Sequence, residues 1–229
     1  MNINDFVITS ASAKYTGVGA KTSSPAADKV GAAVTAGLEK AEKRIQAQVD
    51  ATSVQLSSLG KLKSSVSGAQ LAAHALGGLS ATATSAAEKT AAADFVTAFN
   101  SALTTAKTTA AAPGDMALTS SANRTNKGLQ NAISADRPAL EALKKIGFSV
   151  GTDGTLSLDT KKFDAAQKAD ATGVRATLVK MGKQVDKTAS KELAADGNVG
   201  LSLSTFNQRA NTLKSQQSTL ASLKATGGL

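Results

Sequence analysis

"LEKAEKRIQAQVDATSVQLSSLGKLKSSV", residues 38–66, sets its apolar side chains three and four positions apart. The series runs Val30, Val34, Leu38, Ala41, Ile45, Val49, Thr52, Leu56, Leu59, Leu62 and Val66. Steps of this size gather on one face of a helix, and their persistence makes a coiled-coil seam of about five heptads. Glu39, Lys40, Glu42, Lys43, Arg44, Gln46, Gln48 and Asp50 occupy the other faces, which are therefore solvated. Ser24 followed by Pro25 is a helix-start signal, and the glycine pair in "ALGGLSATATS" (75–85) is a stop, so the helix spans about 24–76. A second stripe lies near the other end of the chain: Leu203, Phe206, Ala210, Leu213, Gln217, Leu220 and Leu223. Two such stripes solve each other's exposure by pairing.

Between them the punctuation is denser. "AADFVTAFNSALTTAKTTAAA" (92–112) reads as a helix with Phe95, Val96, Phe99 and Leu103 on one side, and "PGD" (113–115) as a turn. "MALTSSANRTNKGLQNAIS" (116–134) reads as a polar joint and then a short helix carrying Leu129 and Ile133. "PALEALKKIG" is a helix stopping at Gly147. "FSVGTDGTLSL" (148–158) alternates around a Gly/Asp turn, which is hairpin chemistry. Asp159 or Thr160 then caps the helix "KKFDAAQKA", and "TGVRATLVKMGKQV" forms another. The expected fold is mainly α: long N- and C-terminal helices paired as a coiled-coil bundle, with a small middle unit of short helices and one β-hairpin.

Composition narrows the chemistry. The 229 residues include no cysteine, one histidine and no tryptophan, and aromatics are 3 %. Disulfides and thiolate metal sites are excluded. Scarce aromatics argue for a narrow seam of small and aliphatic side chains rather than a thick core. The net charge is +9, which raises affinity for nucleic acid or an anionic membrane as an alternative to a merely soluble surface. The positives are scattered, with doublets only at Lys43-Arg44, Lys144-Lys145 and Lys161-Lys162. There is no arginine-rich run or aromatic-interleaved stripe, so neither nucleic acid nor membrane insertion is expected. No stretch has the apolar length of a membrane span. "MNINDFVITSASAKYTGVGAKTSSPAADK" (1–29) lacks the apolar core of a cleavable signal and reads as poorly ordered before it meets a partner.

"GTDGTLSLD" (151–159) is the one stretch that resembles a metal loop, with Asp153, Asp159 and Asp164 close in sequence. An EF-hand needs glycine at its sixth position, where Leu158 stands. A turn and a helix cap account for the two loop aspartates without a metal. His74, alone among alanines and leucines, reads as a helix residue rather than a ligand. "GVGAK" (17–21) and "LGKLK" (59–63) lack the phosphate-loop pattern. No catalytic constellation, cofactor site or metal site is expected, and the chain reads as a non-enzyme.

The residues accumulate into a family resemblance. "KKIGFSVGTDGTLSLDTKKFDAAQKADATGVRATL" (144–178) resembles the late middle part of the flagellar filament-capping (FliD, hook-associated protein 2) family. The resemblance rests on Ile146-Gly147, Asp153-Gly154-Thr155-Leu156, Leu158-Asp159, Phe163-Asp164, Ala166, Asp170 and Val174. Residues 39–70 resemble the family's N-terminal helix, "FVTAFNSAL" (95–103) the helix that reopens its core, and residues 200–220 its C-terminal helix. Family members usually carry large β-rich domains between the first two of these helices. Here about fifteen residues join them, so the resemblance is to a short form.

The resemblance implies an extracellular structural protein of the bacterial flagellum, exported through the flagellar type III channel without a cleaved signal. It implies a homo-oligomeric ring at the filament tip that promotes flagellin polymerisation, with flagellin, hook-associated proteins and an export chaperone as partners. Leu38, Ile45, Val49, Leu56, Leu59, Phe206, Leu213 and Leu220 would form the helix and oligomer seam, either between subunits or only within one. The expected layout is a flexible export segment at 1–29, a coiled-coil helix at 30–80, a middle unit at 92–195, a second coiled-coil helix at 200–223 and a flexible tail at 224–229. Another flagellar axial or hook–filament junction component is the alternative. So is an unrelated exported coiled-coil protein, such as a translocator or adhesin stalk.

Overall fold

The computed structural model describes residues 25–112 and 115–226. The expectations for residues 1–24, for the Pro113-Gly114 turn and for the last three residues lie outside them. The described chain runs α1 (Pro25–Gly77), α2 (Ser85–Ala111), α3 (Met116–Ser134), α4 (Arg137–Lys145), β1 (Phe148–Val150), β2 (Leu156–Leu158), α5 (Thr160–Leu193) and α6 (Asn198–Thr226). At 1.5 Å per residue α1 is roughly 80 Å long. The mainly α class with one hairpin is as the sequence pattern requires.

Local chemistry sets the element ends. Thr84, Asp115, Asp136 and Asp159 are N-caps whose side chains accept from Ala87, Ala117, Ala139 and the Lys161/Lys162 amides. Each satisfies donors that the first helical turn leaves unpaired. Gly147 ends α4 at φ +95 and passes its carbonyl to the Asp159 amide at 2.8 Å. A β-carbon there would stand 2.7 Å from the Asp159 carbonyl oxygen, so helix end, hairpin and next helix meet at a point only glycine fits.

The hairpin has the register Phe148↔Leu158, Ser149↔Ser157, Val150↔Leu156. Phe148 and Leu156 are buried, Val150 and Leu158 half-buried, and Ser149 and Ser157 exposed. This is the period-two alternation of a strand pair lying on a core.

Three elements depart from the sequence reading. Residues 116–134 form one continuous helix rather than a joint and a short helix. Ser121, Ala122 and Thr125 are buried there beside Leu129, so small polar side chains line a face where large apolar ones were sought. α2 begins at Ser85, seven residues before the apolar run, because Thr84 caps it. The two helices expected after the hairpin follow each other through a kink at Asp170 (φ −154, ψ 82), whose carboxylate accepts from the Gly173 amide at 2.8 Å and restarts the helix.

The core sits at one end of the molecule. Leu62, Val66, Ala69, Ala73 and Leu76 of α1 join Phe95, Phe99 and Leu103 of α2, Leu129 and Ile133 of α3, Phe148 and Leu156 of the hairpin, and Phe163, Leu178 and Val185 of α5. The Phe95 and Phe99 rings lie 5.6 Å apart. The span 92–195 read from the sequence as a separate unit therefore shares one core with the C-terminal half of α1. α6 is not the sole cover of the α1 seam: α2 and α5 take the half from Leu62 onward, and α6 takes the half before it. Gly182 of α5 lies against Gly77 of α1, so close that a β-carbon on Gly182 would meet the Gly77 nitrogen at 2.4 Å.

Candidate assembly surface

Before Leu59, α1 leaves the core and runs with α6 as a two-helix arm. The two are antiparallel. Leu59 packs with Phe206 and Leu118, Gln217 donates to Gln46 at 2.9 Å, and Lys224 pairs with Glu42. At the arm's root Arg209 pairs with Asp115 at 2.9 Å.

The eight seam residues separate into two groups. Leu59, Phe206, Leu213 and Leu220 are buried, whereas Leu38, Ile45, Val49 and Leu56 are half-buried. Val34, Val54 and Leu223 are exposed at 41 %, 65 % and 42 %, so apolar area continues onto the outside of the arm. In this arm α1 and α6 therefore leave part of each other's apolar stripe open. Thr52 Oγ1 and Gln55 Oε1 are also buried there without a hydrogen-bond partner. Such groups cost roughly 1–3 kcal/mol each. The arm is a weakly closed pair attached to a well-closed core.

The loop aspartates each have a protein partner. Asp153 Oδ1 accepts from the Thr155 amide at 3.1 Å and hydroxyl at 2.6 Å, and Lys107 donates to Oδ2 at 3.1 Å. Asp159 caps α5, and Asp164 takes both its bonds from Lys89, at 2.8 and 2.7 Å. The three carboxylates thus face three different donor sets. Among the described residues no group of three or more His, Asp or Glu side chains could hold a metal ion. His74 is exposed on α1 and donates to Asp186 of α5 at 3.1 Å.

The Thr155 hydroxyl and amide, with the Lys107 ammonium, hold the Asp153 carboxyl well below the usual carboxylate range. A depressed folded value means that the carboxylate's stabilising effect is complete above the unfolded pKa of about 4 and is lost as pH falls from there through the folded value. The Thr155 amide resonance should therefore stay constant from neutral pH to about pH 4 and move only in stronger acid. Movement centred on pH 4 to 5 would contradict this.

Two polar clusters were not visible in the sequence. Asn100 of α2 clasps the hairpin edge, donating from Nδ2 to the Leu156 carbonyl and accepting the Leu156 amide, both at 2.8 Å. It acts as a strand neighbour supplied by a side chain. Lys107 and Gln130 each donate to the Asp153 carbonyl at 2.9 Å, fixing the turn to α2 and α3. Asn100→Ala should cost about 1–2 kcal/mol and speed exchange of the Leu156 amide before global unfolding; unchanged exchange would show that the clasp does not hold the hairpin. The second cluster is Glu88, 1 % exposed, which accepts from Arg175 Nε at 2.5 Å and Gln167 at 2.9 Å. Arg175 also donates to the Ala81 and Ala83 carbonyls in the α1–α2 linker. Only the order "FVTAFN" hinted at Asn100, and nothing in the spacing pointed from Glu88 to a residue 87 positions away.

The chain is thus a bundle of long helices with an arm whose apolar flanks are partly open and with its loop carboxylates committed to caps and ion pairs. Residues 79–226, about two-thirds of the chain, match the family described as the flagellar hook-associated protein 2 C-terminus, and the chain belongs to that family. The family is a structural one of the bacterial flagellum, forming oligomeric caps with flagellin at the extracellular filament tip. The match begins at Leu79, just past α1. Neither a curated protein nor a solved structure matches the chain.

Proposed function

We propose that this chain caps the flagellar filament and promotes flagellin polymerisation as a homo-oligomeric ring. It would reach the tip by type III export and meet an export chaperone and other hook-associated proteins on the way. The observation that carries the reading is family membership over residues 79–226, joined to an arm whose apolar stripe one chain leaves partly open. The chemistry is assembly: α1 and α6 of neighbouring copies close each other's seams, while the core and hairpin face outward. Deleting the gene should abolish swimming and release unpolymerised flagellin into the medium. Normal filaments without the gene would refute the proposal.

The half-buried seam residues give a sharper test. Ile45→Lys with Val49→Lys should lower the oligomer mass in light scattering while shifting the chain's melting little. Leu213→Lys, at a buried position, should damage both. Equal masses for wild type and the Ile45/Val49 variant would place the contact elsewhere. A second reading is a different axial or hook–filament junction component. The short link Gly78–Thr84 favours it, because the family's usual large domains between the two helices are not there. Labelled protein on native flagella, seen by electron microscopy at the tip or at the junction, separates the two readings.

A further inference from the structure

Part of the positive charge forms a row on one face of α5. Lys183, Lys187 and Lys191 follow at i, i+4 and i+8, all exposed. None of the three has an ion-pair partner among the described residues. At 1.5 Å per residue their steps are about 6 Å along the helix. Flanking helices fix the direction they face. On one side of α5, Gly182, Asp186 and Ser190 meet Gly77, His74 and Gln70 of α1. On the other, Thr188 and Glu192 meet Gly128 and Thr125 of α3. Lys187 and Lys191 lie outward between these flanks, and Lys183 stands at the α1 edge, its Cγ 3.2 Å from where a β-carbon on Gly77 would be.

Nearby carboxylates are already committed. Asp186 accepts from His74 and Ser190, buried Glu192 from Thr125 and Asn198, and Asp136 holds Lys180 at 2.8 Å. Asp196, in the turn after α5, makes no ion pair with the three lysines. Like charges at i, i+4 weaken a helix; the helix dipole favours Lys191 in the last turn of α5, but no carboxylate among the described residues pairs with the row.

We propose that this row docks an acidic helical face of a different protein, with carboxylates at i, i+4 and i+8. The same 6 Å period then sets each carboxylate against one ammonium. A convex helix ridge without a cleft or aromatic platform suits neither a sugar chain nor stacked bases, and it has no apolar fringe for a bilayer. A second copy fits poorly. The α1 acids Glu39, Glu42 and Asp50 are interleaved with Lys40, Lys43 and Arg44, and Glu42 is held by Lys224. The proposal does not depend on the capping role.

The test uses the full chain and a fluorescein-labelled helical peptide with glutamates at every fourth position, at low salt. A second peptide has the same composition with glutamates spread around the helix. Lys183→Gln/Lys187→Gln/Lys191→Gln should weaken binding of the first peptide about tenfold or more. The charge-matched Lys40→Gln/Lys61→Gln/Lys214→Gln should change it by less than about twofold. Melting by circular dichroism checks that both variants fold. Four outcomes overturn the proposal: equal losses in both variants, equal binding of both peptides, no peptide binding by the wild-type chain, or a row-dependent binding seen only with heparin or with phosphatidylglycerol vesicles.

Discussion

Arg175→Ala is expected to lower the unfolding free energy by about 3–5 kcal/mol. Glu88 is 1 % exposed and the Arg175 side chain only 19 %, so the pair lies where water screens little. Removing the guanidinium leaves the carboxylate with Gln167 as its remaining side-chain donor and frees the Ala81 and Ala83 carbonyls. The charge of the pair is expensive to bury, so its presence is not itself a measure of stability; breaking it on one side is what costs. Urea denaturation followed by circular dichroism measures the loss. Glu88→Gln combined with Arg175→Met should recover most of it, since no uncompensated charge then remains. A single variant within about 1 kcal/mol of wild type would mean that the pair does not hold the linker to α5. The functional link is geometric: the linker joins the long arm-bearing helix to the core, and Arg175 fixes its path.

Gly182→Ala is expected to lose about 2–3 kcal/mol, against the usual gain of about 1 kcal/mol for replacing glycine inside a helix. The added carbon would meet the Gly77 nitrogen at 2.4 Å, the Ala73 oxygen at 2.6 Å and the Gly77 α-carbon at 2.8 Å. All three are backbone atoms, so no side chain can swing aside and α1 must move off α5. Gly60→Ala is the control. Nothing lies within 4 Å of its added carbon, so it should stabilise the chain by up to about 1 kcal/mol. Denaturation midpoints that shift in the same direction for both would sink the close-approach argument.

Which parts were legible follows from the range of the interactions. Seam residues such as Leu59 and Leu213 announce themselves by spacing, because a helix brings residues three and four apart together without outside help. The hairpin was equally local: alternation in "FSV" and "TLSL", and glycines where the turn needs them. α3 was misread because its buried face carries Ser121 and Thr125. Those positions are decided by how closely α6 and α5 approach, with Ser121 donating to the Asn198 carbonyl at 2.6 Å and Thr125 to Glu192 at 2.9 Å.

The helical class, the hairpin, the Asp159 cap and the existence of two apolar stripes were readable from the sequence alone, since each is written in neighbours along the chain. The tertiary structure decided how the stripes are used. α2 and α5 cover the Leu62–Leu76 half of α1, leaving α6 to form an arm with the rest. That choice rests on contacts between residues far apart in sequence, the backbone approach of Gly182 to Gly77 and the Glu88–Arg175 pair among them. Their geometry exists only once the helices have packed.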